Sequence, residues 1–555
     1  MTNNEIADAF SLLAKLTDID GSNSFKSKSY AIAAYHIEKL TLSLKDMEED
    51  KIATLPGIGN STAKKIIELL HTHTLAQLQQ LITIIPAGVI ELLQIKGLGP
   101  KKINAIWKDM GLENMGELQY ACKENRLKLY KGFGEKTQQS VLENIEFYQR
   151  NKGNFLYAQI EFGATQFIKY LQQTFAGKQV FITGQFARQL EIITLLEFIV
   201  EENVETILQK LSTQNGLTFI SQSIDSVAYK TTLGITIKIY AETKNIIEKL
   251  VATSSSTLFY NSINELPNKG TTANTEQEYF ISKGLPYIPA YLRENEHALL
   301  QPKANDLPIG TASIKGLIHC HSNWSDGNNT IAQMAMAAQQ KGMEYLVITD
   351  HSKSAYYAQG LKDEQILAQH TYIDELNSKL APFKIFKSIE SDILNDGSLD
   401  YSTDILASFD VVIASIHSNL KMNLDKAMAR LLAAIENPYT TILGHLTGRL
   451  LLSRPPYPID YKKIIDACAA NHVVIELNAN PNRLDIDWRE ISYALDKNVL
   501  ISINPDSHSI EGIDDIKYGV LVAQKAMLQP SQNLSSYSLQ QFSQFVRERK
   551  ILKNI

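Results

Sequence analysis

Over the first 80 positions, apolar residues recur every three or four places. ADAFSLLAKL (7–16), SYAIAAYHIEKL (29–40) and STAKKIIELL (61–70) therefore predict helices. Between 151 and 300 the pattern changes. Strand-like runs QVFITG, LTFISQS and GITIKIYA alternate with the amphipathic stretches EFGATQFIKYLQQTF and ETKNIIEKLVA, which reads as an α+β unit. From 314 onward a third pattern repeats: a short β-branched run, a polar loop, then an amphipathic helix. Its strand candidates are SIKGLIHCH, EYLVITDH, FKIFKSIE, VVIASIH, TTILGH, HVVIELN and VLISINPDSH. Alternating strands and helices predict parallel pairing, and seven such units predict a closed or nearly closed barrel with ligands at the C-terminal strand ends.

These shifts divide the chain into helical domains at 1–85 and 86–150, a mixed region at 151–300, a Pro- and polar-rich linker at 301–313 and the barrel at 314–555. A chain of 555 residues is too long for one core, so several domains are expected anyway. Three cysteines in that length imply no disulfide framework and suit a reducing, cytoplasmic setting. No run of about 18 apolar residues occurs, so no membrane partner is expected, and a monomer suffices. The net charge of −6 hides a local excess: residues 51–150 hold 13 Lys and Arg against 9 Asp and Glu.

That positive stretch contains a device used three times. LPGIGNSTAKKI (55–66), IKGLGPKKI (95–103) and YKGFGEKT (130–137) each place a Gly-x-Gly turn before a helix start. Such a turn leaves backbone N–H groups free at the positive end of the helix, a seat for phosphate. The expected DNA-binding residues are Gly57, Gly59, Lys64 and Lys65, then Gly97, Gly99, Lys101 and Lys102, then Gly132 and Gly134. The three copies resemble helix-hairpin-helix motifs, which grip the DNA backbone without reading sequence. SFKSKSYAIAAYHI (24–37) followed by LPGIG resembles the N-terminal domain of the X-family DNA polymerases. In that family a lysine after the first hairpin forms a Schiff base with an abasic sugar. Lys65 occupies the matching place, although a helix-surface lysine is the plainer reading.

GKQVFITGQFARQLEIITLLEFIV (177–200) is similar in layout to the nucleotidyl-transfer motif of the same family. The resemblance implies a nucleotidyltransferase-like palm, with a Gly-Ser turn holding the triphosphate and three aspartates holding two magnesium ions. Here Gln185 stands at the Ser position, Leu195 and Glu197 at the paired aspartates, and Lys238 on the strand of the third. Leucine cannot ligate and lysine repels cations, so a degenerate palm without polymerisation is expected. GLPYIPAYLREN (284–295) resembles the segment that closes this region in the bacterial members carrying a C-terminal PHP domain.

The barrel's predicted strand ends carry His319, His321, His351, Glu390, His417, His445, Glu476, Asp506 and His508. Eight of the chain's twelve histidines fall in this domain and six of those at strand ends, a distribution that points to a polynuclear metal site. HCHSNWSDG, ITDHS, SIESDIL, ASIHS, GHLTGR and PDSHS closely resemble the motifs of the PHP (polymerase and histidinol phosphatase) domain, a distorted (β/α)7 barrel. The resemblance implies three divalent metals. His319, His321, Glu390 and Asp506 would hold one, Glu390 with His417 and His445 a second, and Asp326, His351 and His508 the third. It suggests Mn²⁺, while the ligand types also admit Zn²⁺ or Fe. Arg449 is the expected phosphate clamp, ahead of Lys353 and Arg483, and Asp350 is expected to orient a ligand histidine.

The sequence thus predicts a multidomain α and α/β protein that binds DNA and cuts phosphodiesters, as a 3′→5′ exonuclease or 3′-end processing enzyme in repair. The alternatives are a gap-filling polymerase with an atypical site, a non-catalytic DNA-binding scaffold, and a small-molecule phosphatase.

Overall fold

The computed structural model describes residues 1–40, 42–212, 214–267, 273–294, 299 and 308–555. It falls into two compact units, Met1–Lys152 and Gly153–Ile555.

The first unit is helical throughout its described residues. It opens on Asn3–Asp20, whose first turn is closed by a capping box between Thr2 and Glu5. A single apolar core runs from Ile6 to Ile145, so the boundary expected at 85/86 does not divide the packing. That expectation treated the 95–103 hairpin as a new domain. Its residues Ile95, Leu98 and Ile103 instead share the core of the preceding helices.

Besides a two-stranded ladder of Phe155–Leu156 with Ile192–Ile193, the second unit contains two larger sheets. The first is built from β1 (Val180–Thr183), β2 (Leu195–Val200), β3 (Leu217–Gln222), β4 (Ser226–Thr231) and β5 (Thr236–Ala241), in the order β1-β2-β5-β4-β3. β2 and β5 are parallel, and the other neighbours are antiparallel. Leu196, Phe198 and Val200 alternate into a core with Ile160, Ala164 and Leu171 of the helix Tyr157–Thr174. Strand alternation therefore turns Leu195 and Glu197 to the other face.

The barrel comprises β6 (Gly316–Cys320), β7 (Tyr345–Ile348), β8 (Lys384–Asp392), β9 (Val411–Ser415), β10 (Ile442–Leu443), β11 (Val474–Asn478) and β12 (Ile501–Asn504). All seven are parallel and pair in chain order. A bridge between Cys320 and Ser507 brings the two edges together, so the barrel is nearly closed. Its strands are buried almost throughout because helices cover the outside, which is why they read as continuous apolar runs. The C-terminal helix Leu539–Lys553 lies at the strand starts, where Phe542 stacks on Tyr345 at 4.5 Å between ring centroids.

Residues 301–307 of the expected linker lie outside the described residues. The remainder does not behave as a linker: Ile309 is fully buried and its N–H donates to the Leu528 carbonyl at 2.8 Å. Among the described residues no single helix is long and apolar enough to cross a membrane.

Candidate metal centre

The nine expected ligand residues, eight from strand ends and Asp326 from a loop, converge at the C-terminal mouth of the barrel. Glu390 stands in the middle. Its Oε1 lies 3.3 Å from His319 Nε2, 3.1 Å from His417 Nε2 and 2.9 Å from His445 Nε2. Its Oε2 lies 2.9 Å from His351 Nδ1. Asp506 Oδ1 is 3.3 Å from His321 Nε2 and 3.6 Å from His319 Nε2. On the other side Asp326 reaches His508 Nε2 at 3.5 Å and His351 Nε2 at 3.6 Å.

Two donors about 2.1 Å from one tetrahedral cation stand roughly 3.4 Å apart, the separation seen here. Three overlapping groups could each surround an ion: His321, Asp326, His351 and His508; His319, His321 and Asp506; His351, Glu390 and His417. The grouping differs from the expected partition in that His321 and His351 each fall in two groups and His445 in none.

The chemistry of the donors fits cations. His319 Nε2, both ring nitrogens of His321, His351 Nδ1 and Glu390 Oε2 are buried without a hydrogen bond. Each such atom costs about 1–3 kcal/mol unless something satisfies it. Burial alone would push the Glu390 and Asp506 carboxyls up. The imidazoles of His417, His319 and His351 around Glu390, and of His319 and His321 around Asp506, outweigh it and hold both well below the ordinary range. Burial also opposes charge on His417, yet Glu390 and Asp392 raise it to about 10. His321, buried and flanked by His508 and His351, is pushed down to about 3 and stays neutral, as a ligand must be. The pocket gathers negative charge and answers it with whatever positive charge is at hand.

His319 and Asp506 adopt left-handed backbone, at φ +64° and +51°. The β6–β7 register slips between Leu317 and Cys320, so the two histidines of H-x-H reach the site through a bulge rather than by plain strand alternation. Outer carboxylates then fix the rings. Glu476 Oε2 lies 2.6 Å from His319 Nδ1, and Asp392 contacts His417 Nδ1. The sequence reading placed Glu476 at a strand end without this role. It passed over Asp392, although E-S-D puts that residue on the same side of β8 as Glu390.

Two expectations need correcting. Asp350 orients no imidazole. It accepts hydrogen bonds from Ser322 N and Oγ, Ser325 Oγ and Gln369 Nε2, at 2.6–2.7 Å, and so ties down the loop that carries Asp326. Arg449 is not free to clamp phosphate. It donates to the Arg483 carbonyl at 2.9 Å, to the Leu484 carbonyl and to Asp487 at 2.6 Å, and is buried. Arg483 is the arginine at the cluster, with its Nε 3.4 Å from Asp506. Lys353 pairs at the surface with Asp363.

In the first unit the three hairpin turns repeat one geometry. Gly57, Gly97 and Gly132 have φ of +73°, +87° and +92°, and Gly59, Gly99 and Gly134 cap the helices that follow. In none of the three does a side chain cap the helix start. A Cβ at Gly59, Gly97, Gly99, Gly132 or Gly134 would meet nothing within 4 Å, so each turn is open to an approaching ligand. Lys64 and Lys101 are exposed, while Lys65 and Lys102 are half-buried.

On the smaller sheet, Glu197 and Lys238 are register partners across β2 and β5. Glu197 accepts from the Tyr240 hydroxyl at 2.9 Å, and burial raises its carboxyl. It packs so tightly on Gly184 that a Cβ there would sit 1.9 Å from Glu197 Oε2. Gln185 Oε1 accepts from Thr194 N at 2.7 Å and Leu195 N at 3.4 Å.

Residues 1–75 match the helix-hairpin-helix domain, 89–146 the SAM-like helix-hairpin-helix tandem and 318–480 the PHP domain. The chain is 31% identical to the DNA polymerase/3′-5′ exonuclease PolX of Bacillus subtilis, over 99% of this chain and 100% of that protein. A probable phosphatase of Caldanaerobacter subterraneus is 29% identical over 27% of this chain and 56% of its own length. The probable phosphatase YcdX of Escherichia coli O81 is 28% identical over 29% of this chain and 62% of its own. With hairpin domains at one end, a PHP barrel at the other and likeness to PolX along its whole length, the chain belongs to the bacterial PolX family, X-family DNA polymerases with a C-terminal PHP domain.

Proposed function

We propose that this protein is a metal-dependent phosphodiesterase that shortens DNA from the 3′ end, and that its palm no longer polymerises. The observation that carries the reading is the ring of imidazoles around Glu390 at the open end of the barrel, several of whose buried nitrogens no hydrogen bond satisfies. The relative named a polymerase and 3′-5′ exonuclease, and the phosphatases like the barrel, agree with phosphoester chemistry.

The nine donors would hold three divalent cations, with Mn²⁺ the first choice. Such cations lower the pKa of bound water and neutralise a leaving oxygen when present. The chain's own residues set the geometry. Glu476 and Asp392 hold His319 and His417 in their tautomers. Asp350 fixes the loop of Asp326. Arg483 offers a guanidinium to the phosphate. DNA would be held through its backbone by the three hairpin turns, without sequence preference.

The loss of polymerisation is supported by the face of the smaller sheet. Leu195 has no ligand atom, Lys238 adds a positive charge beside Glu197, and Glu197 is packed against the turn at Gly184. The test is a 5′-labelled primer–template with Mn²⁺, with and without dNTPs, beside His319→Ala. Shortening that disappears in the variant is expected. Extension with dNTPs would overturn the claim for the palm, and no change of either kind would overturn the nuclease.

A further inference from the structure

The loop after β7 carries two large aromatic side chains outward, and the second of them, Tyr357, stands beside the metal centre. Tyr356 is 87% and Tyr357 72% exposed, whereas an aromatic side chain ordinarily gains from burial. The loop is pinned. Ala355 and Ala358 are buried, Ala355 N donates to Ser352 O at 3.0 Å, and Leu361 N donates to His351 O at 2.9 Å. The Tyr401 hydroxyl donates to Leu361 O at 2.6 Å, and a Cβ on Gly360 would stand 1.8 Å from Ser352 O. Tyr357 thus sits on a short loop whose far end is bonded back to His351.

The ring of Tyr357 lies 6.3 Å from that of His351, centroid to centroid, at 56°. Its hydroxyl is partly desolvated and stands in the field of Asp392, Glu390 and Asp326, with Arg483 acting against them. The ring therefore stands beside the His351 corner of the metal cluster, while most of its surface is left to solvent. A planar group attached to a phosphate held at the cluster is the ligand such a ring accepts, and every nucleobase has a π-face.

We propose that Tyr357 is a stacking platform for the terminal nucleobase of a DNA 3′ end, seating the last phosphodiester at the metal centre. This rests on the nuclease reading and adds substrate selection to it. A base can lie on Tyr357 only after leaving its neighbours in the duplex, so the platform selects single-stranded or frayed ends.

The test is steady-state kinetics of the Mn²⁺-loaded full chain on a 5′-labelled single-stranded oligodeoxyadenylate. A second substrate is identical but carries an abasic tetrahydrofuran residue at its 3′ end. Tyr357→Ala is expected to raise KM roughly tenfold on the normal end with little change in kcat, as base stacking elsewhere predicts. Tyr357→Phe keeps the ring and should retain the wild-type KM. The wild type on the abasic end should show the KM of Tyr357→Ala, and the substitution should then cost nothing more. An unchanged KM on the normal end would overturn the platform, and so would an equal rise on both substrates; in both cases the nuclease reading would stand. Failure of the wild type to cut either DNA would overturn both.

Discussion

Glu476→Gln removes one charge and changes one atom, in a place where the surroundings leave it no neutral solution. Glu476 is fully buried and all four of its partners are donors. Oε1 accepts from His445 N at 3.0 Å and Asn478 Nδ2 at 2.9 Å, while Oε2 faces His319 Nδ1 at 2.6 Å and Asn504 Nδ2 at 2.8 Å. A glutamine must turn its NH₂ toward one of these pairs. The backbone N–H of His445 cannot become an acceptor, but an imidazole can. The amide nitrogen therefore goes to His319, whose Nδ1 becomes the acceptor and whose proton moves to Nε2. That nitrogen is the one turned toward Glu390 and Asp506, so the ring loses its ligating lone pair. Asn504 Nδ2 is left facing an NH₂, a further cost of about 1–3 kcal/mol. Loss of a hydrogen-bonding carboxylate behind a ligand histidine weakens metal binding roughly 10- to 100-fold, or about 1.4–2.8 kcal/mol. Titrating Mn²⁺ into chelator-stripped protein by calorimetry should show that loss at one class of site. Unchanged affinity in a folded variant would refute the claim that Glu476 sets the His319 tautomer.

Other consequences follow from charge and backbone geometry. Burial lowers Lys525 from 10.5 to about 8, so its charge costs most below pH 8 and the cost fades as pH rises toward 10.5. Urea unfolding of wild type against Lys525→Met should show the wild type gaining up to about 3 kcal/mol relative to the variant across that window; parallel pH profiles would refute it. Gly57→Ala should destabilise the chain by about 1–3 kcal/mol more than Gly132→Ala in thermal or urea unfolding. Both turns are left-handed, but only at Gly57 would the added Cβ meet a neighbour, 2.2 Å from the His36 ring. If the hairpins hold DNA phosphate, Lys102→Ala should reduce the slope of log K against log salt by about 0.9 without changing sequence preference. A slope equal to wild type would remove that lysine from the contact.

The barrel and its cluster were legible because parallel strands under helices give separable apolar runs, and because the reactive residues stand where those runs stop. For His319 and His321 the i, i+2 spacing is an incomplete reason. Alternation predicted their meeting, but the bulge and positive φ at His319 are what a sequence does not display. Asp350 carried its own warning. It is adjacent to His351, and neighbouring side chains at a strand end tend to opposite sides, so its turn toward Ser322 and Ser325 follows from spacing. Arg449 carried none. Only the fold shows that its guanidinium meets the carbonyls of Arg483 and Leu484, and that Arg483, 38 residues after His445, reaches the cluster. The break expected at residue 85 coincides with the gap between the two matched families, yet one core spans it, because local helix patterns do not say which helices pack together.

Arg449 also takes part in tying the barrel to the region of the smaller sheet. Arg449 bonds Asp487 at 2.6 Å, Asp487 meets Arg489 at 2.9 Å, and Arg489 reaches Glu191 of the palm region at 2.7 Å. Glu191 and Asp487 are largely withdrawn from water, so solvent screens this chain of charges far less than it screens a surface pair. Lys525 adds a second tie from the barrel, donating to the carbonyls of Arg188 and Tyr291. Lys517 adds a third, 2.7 Å from Glu161. Through Arg449 the first of these ties holds the backbone that presents Arg483. A buried charge whose partner is removed costs more than an exposed one. Substitutions in the palm that spare Glu191, Arg188 and Glu161 therefore leave the barrel's arginine in place, while loss of the whole palm would strand Arg489 and Lys525. These ties thus bind the smaller sheet's region to the barrel whatever stands at Leu195 and Lys238.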